Sequence, residues 1–194
     1  MTHDTTLAVI VGSVRPGRRG EAIARWVQQR AEQRNGTVVE LVDIADYQLP
    51  VLDEPSPAAY GRDSYEMPHT KAWSDTIARY DAYLFVTPEY NRSIPGPLKN
   101  AIDYLYQEWH NKAAGFVSYG LDAGGARAVE HLRVVMGELQ VADVRAQVAL
   151  PLFSDFDFDS GTFTPQPHRE QELDVLLDQL IAWGTALRAV RQAA

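Results

Sequence analysis

Apolar and polar positions run along this chain in alternating blocks. Residues 7–11 form an unbroken apolar run of strand length, and residues 21–34 then place Ile23, Ala24, Val27 and Ala31 on one helical stripe. Residues 37–44 predict a second strand, the proline-rich residues 48–68 a long loop, and residues 70–80 a short helix with Trp73 and Ile77 inward. Residues 82–87 predict a third strand, the most sharply bounded of the set. A helix over 96–109 follows, with Leu98, Ala101, Ile102 and Leu105 at helical spacing. The pattern closes with a strand at 115–119, a helix at 125–139, a strand at 144–150, and a final helix over 168–192 carrying Leu173, Leu176, Leu177, Leu180, Ile181 and Leu187. Five strands alternating with helices predict an α/β fold, a parallel sheet covered by helices on both faces. No internal repeat, low-complexity tract or linker divides the chain, so residues 1–194 are expected to form a single domain.

In such a sheet, ligands bind beyond the carboxyl ends of the strands where the winding reverses. Three loops leave those ends. The first combines Gly12, Gly17 and Gly20 with hydroxyl and guanidinium donors directly ahead of a helix. Glycines let backbone N–H groups point inward, the helix dipole favours an anion by about 0.3–1 kcal/mol, and arginine grips phosphate as a fork. No Lys-Ser/Thr pair follows, so it is not a triphosphate loop, and the glycine spacing is not that of a dinucleotide site. The bland alternative is a glycine-rich turn with incidental arginines. The second loop stiffens its backbone with Pro88, Pro95 and Pro97, and sets Glu89, Asn91 and Ser93 around the ring of Tyr90. That wall suits a flat heteroaromatic ring with donors and acceptors on its edge; a plain turn with a surface tyrosine is the competing reading. In the third loop Gly124 and Gly125 open another helix, whose free N–H groups are expected to face the same crevice.

Composition narrows the function classes. Eighteen basic against 26 acidic residues give a net charge of −8, which argues against nucleic acid and anionic membrane as partners. Yet Arg15, Arg18, Arg19 and Arg25 fall within eleven residues, as suits a local site for a small anion. No apolar run approaches the roughly 20 residues of a membrane span, and the start of the chain lacks the pattern of a signal peptide, so a cytoplasmic location is expected. Without cysteine there is no thiol nucleophile, disulfide or thiolate metal site, and redox chemistry requires a bound cofactor. The histidines, His3, His69, His110, His131 and His168, are scattered at spacings that suggest no metal set.

Gly-Ser-x-Arg-x-Gly-Arg after the first strand, Thr-Pro-Glu-Tyr-Asn-x-Ser-x-Pro-Gly-x-Leu-Lys-Asn-Ala-Ile-Asp after the third, and Gly-Gly-x-Arg-Ala-x-x-x-Leu-Arg after the fourth resemble the NAD(P)H-dependent FMN reductases. The resemblance spans about residues 7–150. It implies a flavodoxin-like three-layer sandwich with strand order 2-1-3-4-5, FMN as cofactor, and NADPH or NADH as co-substrate. By similarity, Ser13, Arg15 and the amides of Arg18, Arg19, Gly20 and Glu21 hold the FMN phosphate. Pro88, Glu89, Tyr90, Asn91 and Ser93 line the isoalloxazine, and Ser118, Tyr119, Gly120, Gly124 and Gly125 close its pyrimidine side. The chain departs from many relatives at Arg18, where they carry Ser, and at Gly20, where they carry Asn or Ser.

The implied chemistry is hydride transfer from the nicotinamide to flavin N5 and on to a flavin, a quinone, an azo dye or a metal oxyanion. It needs no catalytic acid or base from the protein, and N–H groups at the start of the fourth long helix are expected to stabilise charge on the reduced ring. A dedicated quinone reductase, and a flavin-binding carrier or regulatory module without nicotinamide turnover, are the alternatives. Relatives form homodimers or homotetramers, and Tyr104, Tyr106 and Trp109 read as aromatics through which the helix from residue 96 could associate, unless they pack on the sheet instead.

Overall fold

The computed structural model describes residues 4–157 and 159–193. Five strands, β1 (Thr5–Val11), β2 (Thr37–Asp43), β3 (Ala82–Pro88), β4 (Ala113–Gly120) and β5 (Ala142–Pro151), form one parallel sheet in the order β2-β1-β3-β4-β5. Between them run α1 (Gly20–Ala31), α2 (Pro68–Ala78), α3 (Gly96–Asp103) and α4 (Ala126–Glu138), and α5 (His168–Ala193) closes the chain. Each of the five expected strands is present, and so is the implied strand order. The helix expected over 96–109 stops at Asp103, and Gln107–Trp109 is a separate 3-10 turn.

The central strands are continuous apolar runs because both of their faces are covered. Leu7, Val9 and Val11 of β1 and Leu84 and Val86 of β3 face α1 and α5, where they meet Ile23, Val27, Leu173, Leu176, Leu177 and Leu180. The alternate positions Ala8, Ile10, Tyr83 and Phe85 face α2, α3 and α4 with Trp73, Ile77, Leu98, Ile102, Leu132 and Met136. Gly115 lets α5 approach β4, since a Cβ there would lie 2.9 Å from Leu176 Cδ1. Tyr104 and Trp109 are fully buried in the second layer, where the Trp109 indole donates to Ile102 O, and Tyr106 packs partly buried beside them. The rings therefore serve the core, and the expectation that the 96–109 segment associates through exposed aromatics is withdrawn.

Polar anchors hold the end of the sheet remote from the loops described above. Asp81, just ahead of β3, accepts from Arg188 Nη2 at 2.5 Å, from Arg191, and from Thr6 N at 2.9 Å. Burial pushes the Asp81 carboxyl upward, but hydrogen bonds from Arg188 and Thr6 outweigh it and hold the group below its ordinary value. A depressed folded-state value means stability that is present above the ordinary carboxylate range and lost as pH falls through and below it. Replacing Asp81 with Ala should cost about 3 kcal/mol by removing the carboxylate that two guanidinium groups share. Urea midpoints at pH 7 measure that loss, and the gap between variant and wild type should narrow below about pH 4.

Candidate functional site

At the other end of the strands the hydrogen-bond ladder continues into the loops. Gly12 N donates to Val86 O at 2.8 Å, Glu89 N to Tyr119 O at 3.0 Å, and Leu152 N to Gly120 O at 2.8 Å. These bonds fix the exits of β1, β3, β4 and β5 against one another. Gly12 is required at its exit, because a Cβ there would lie 2.9 Å from Leu98 Cδ2 and 3.0 Å from Val86 O.

The β1 loop folds as a turn and then becomes helix. Pro16 and Gly17, the latter at φ +69°, occupy the two central positions, and Arg18 N closes the turn on Arg15 O at 3.1 Å. The Arg18 amide is thus committed to the turn rather than offered to a phosphate. Its guanidinium is committed as well, to Asp43 Oδ2 at 2.5 Å and Glu21 Oε1 at 2.7 Å. Asp43 reaches it because the β1–β2 register places it beside Val11. The N-cap residue of α1, Arg19, makes no side-chain capping bond; the Gly20 amide faces the Tyr119 hydroxyl. Arg19 stacks over the Phe156 ring, 5.0 Å from its centroid, and among the described residues neither Arg15 nor Arg19 has a carboxylate partner. Ser13 is buried; its hydroxyl accepts from Arg15 N at 3.4 Å and lies 3.2 Å from the Tyr90 hydroxyl.

After β3, Tyr90 and Ser93 exchange both backbone bonds, at 2.9 and 3.0 Å, around Asn91 and Arg92 at φ +49° and +70°. This is a two-residue reverse turn made of non-glycine residues in the left-handed region, which costs strain that the surroundings must offset. His131 of α4 supports it, with Nδ1 2.8 Å from Ser93 Oγ. Arg127, also of α4, donates its Nε to Glu89 Oε1 at 2.6 Å. The other carboxylate oxygen, Glu89 Oε2, is buried without a hydrogen-bond partner among the described residues. In the β4 loop, Ser118 Oγ donates to Gly124 O at 2.8 Å and so ties the loop to itself. Gly124 and Gly125 adopt φ +57° and +82°, and a Cβ on Gly124 would lie 2.7 Å from backbone atoms of Ala149 and Leu150. Ala126 N bonds Ala123 O and Ala128 N bonds Gly125 O, so those two amides of α4 are spent locally and are not free donors as expected.

A cavity of about 300 Å³ gathers Arg15, Arg18, Arg19, Pro88, Glu89, Tyr90, Tyr119 and Gly120, together with Leu121, Leu152 and Phe153. Eight of the sequence-derived residues thus meet on one wall. Ser13, Gly20, Glu21, Asn91, Ser93, Ser118, Gly124 and Gly125 stand behind it, as turn, helix-start and anchoring positions. Leu121 lay within the glycine-rich third loop, but Leu152 and Phe153 follow β5 and carried no sequence signal; Arg127 was visible in the Gly-Gly-x-Arg motif without a role. A larger cavity, about 710 Å³, lies between Val14, Ile44, Val51, Pro97 and Asn100 and is lined by no charged side chain. Charge, not size, selects the smaller one. Among the described residues no group of His, Asp and Glu could hold a metal ion, and no helix is long and apolar enough to cross a membrane. His3 lies outside the described residues.

Comparison with known proteins gives a consistent picture. Residues 5–155 match the family model described as NADPH-dependent FMN reductase. An NAD(P)H-dependent FMN reductase of Schizosaccharomyces pombe is 41% identical over 147 residues, 75% of this chain and 73% of that protein. A quinone reductase of Pseudomonas putida is 31% identical over 201 aligned positions, covering 98% of this chain and 100% of that one. Among solved structures, FerB, a flavoenzyme NAD(P)H:(acceptor) oxidoreductase from Paracoccus denitrificans, superposes with a TM-score of 0.70 at 27% identity over 93% of this chain and 97% of its own.

The left-handed start of α4 yields a test of the local reading. Gly124→Ala should destabilise the protein by at least about 1–2 kcal/mol from backbone conformation alone, with the contact at Ala149 adding to it, seen as a lowered thermal midpoint.

Proposed function

The chain belongs to the NADPH-dependent FMN reductase family, and from that premise we propose that the arginine-lined cavity at the strand ends is where it holds its flavin. It is an oxidoreductase that uses FMN and NAD(P)H, and its relatives named FMN reductase and quinone reductase favour turnover over the carrier or regulatory alternative. The observation that carries the site assignment is the donor set. One end of the cavity is lined by Arg15 and Arg19, neither paired with a carboxylate among the described residues, directly ahead of the start of α1, which fits a phosphate dianion. The other end presents the flat, stiff wall of Pro88, Glu89 and Tyr90 with an unpartnered buried carboxylate oxygen at Glu89, which fits the imide N–H at the rim of an isoalloxazine.

FMN, bound there, would supply the hydride-transfer chemistry between nicotinamide and acceptor. The protein's part is binding and placement. Arg15 and Arg19 neutralise the phosphate, while Arg18 works indirectly by tying the loop to β2 through Asp43. Arg127 holds Glu89 in one orientation, and His131 holds the 90–93 turn through Ser93. Leu121, Leu152 and Phe153 form an apolar rim that limits water at the mouth of the site. The acceptor class is a small planar molecule, a flavin or a quinone. A homodimer or homotetramer belongs to the same proposal, now supported by Val14, Val51, Leu52 and Leu121, exposed apolar side chains near the two cavities, in place of the buried aromatics.

Purified protein supplied with FMN should show a bound-flavin spectrum that bleaches on anaerobic addition of NADPH or NADH; a bound flavin that stays oxidised with both would reject the reading. Arg15→Ala should weaken FMN binding by about 1.5–3 kcal/mol, the scale of a charge-assisted hydrogen bond, measured by fluorescence titration. On a sizing column at micromolar concentration the protein should elute above the mass of one chain, and a monomer would count against the oligomer.

A further inference from the structure

Side chains alternate along a strand, so Ser118 and Tyr119 leave the end of β4 on opposite faces. Ser118 turns to α4, where it binds Gly124 O, and Tyr119 turns to the α1 and α5 layer. There the phenol runs beneath the first residue of α1. A Cβ built on Gly20 would lie 3.0 Å from the Tyr119 hydroxyl oxygen, whereas the ring carbon Cε1 is 3.7 Å away, an ordinary contact. Gly20 is not in the left-handed region that favours glycine. Its lack of a side chain is accounted for by the room it leaves for this hydroxyl.

Tyr119 is 6% exposed, yet it lines the cavity beside Arg15, Arg18 and Arg19. The Gly20 amide faces its oxygen. Burial, helped by the neighbouring Tyr90 phenol, raises the Tyr119 hydroxyl well above its usual range and outweighs the lowering by Arg15, the Gly20 amide and Arg18, so it stays protonated and able to donate at any working pH. Of its neighbours in this part of the cavity, Arg15, Arg18 and the Gly20 amide are donors, and the Tyr90 hydroxyl can donate or accept a hydrogen bond. A buried hydroxyl that keeps its proton among cations and amides lacks one thing, an anionic acceptor.

We propose that Tyr119 belongs to the phosphate end of the site, donating its O–H to the FMN phosphate, and that Gly20 is the opening through which it reaches. This rests on the reading that FMN phosphate occupies the arginine-lined end, and it moves Tyr119 away from the pyrimidine side to which resemblance assigned it.

The test compares two flavins that differ only in the phosphate. Flavin-free Tyr119→Phe is titrated with FMN and with riboflavin, following flavin fluorescence. FMN should bind about tenfold more weakly than to wild type, with riboflavin affinity and thermal midpoint unmoved. Equal weakening of both flavins, or no change in either, would overturn the proposal, the first by showing that the phenol acts on the ring or on packing. Gly20→Ala supplies a second arm: it should weaken FMN binding in the wild-type background and far less in Tyr119→Phe, where the clashing oxygen is gone. The same loss in both backgrounds would also overturn it. Wild-type protein that binds neither flavin would sink the cofactor assignment itself, a separate outcome from a wild type that binds FMN and a variant that binds it equally well.

Discussion

Three hydrogen bonds beyond the ends of the strands hold the site together: Gly12 N to Val86 O, Glu89 N to Tyr119 O, and Leu152 N to Gly120 O. A parallel sheet buried on both faces must satisfy its backbone laterally, and the ladder here does not stop where the strands do. It runs one step into each loop, so segments distant in sequence leave the sheet in a fixed relation. Everything functional is mounted on those exits. The turn of Arg15 to Arg18, the Tyr90 to Ser93 turn and the glycine pair before α4 can be irregular because their first residues are held as firmly as the core.

Charge is distributed by the same frame. The acids outnumber the bases over the whole chain, yet among the described residues the two arginines at the mouth of α1, Arg15 and Arg19, meet no carboxylate. Arg18 shows how this is kept so: Asp43, delivered by the β1–β2 register, engages the one guanidinium that points toward the sheet edge. On the proposed function, the remaining positive charge serves the phosphate. Elsewhere, as at Asp174, which receives both Arg30 and Arg34, opposite charges are paired to bind α1 to α5.

Much of this was legible from residue order. Runs such as Leu7 to Val11 and Ala82 to Val86 are apolar at every position, which only strands buried on both faces require, and the three loops announced themselves by glycine, proline and arginine. What stayed hidden was whatever depends on which strands become neighbours. Nothing local to Arg18 discloses that Asp43 will stand beside it, nor that its amide will close a turn. Tyr104 and Trp109 looked exposed because a helix was continued past Asp103; once the chain turns there, both rings swing under the sheet. Leu152 and Phe153 reach the cavity only because β5 is the fifth strand in space, so their sequence context gives no sign of it.

The Asp81 cluster with Arg188 and Arg191 sits at one end of the strands, and the cavity sits at the other. Energetic terms so separated add independently, so substitutions on the rim and losses of stability are uncoupled. Such a division makes the fold evolvable. Leu121 and Phe153 on the rim are largely exposed, so exchanges there cost little stability, and on the proposed function such exchanges are what would suit new acceptors. A single scaffold whose members bear names as different as FMN reductase and quinone reductase is the outcome to be expected of that arrangement.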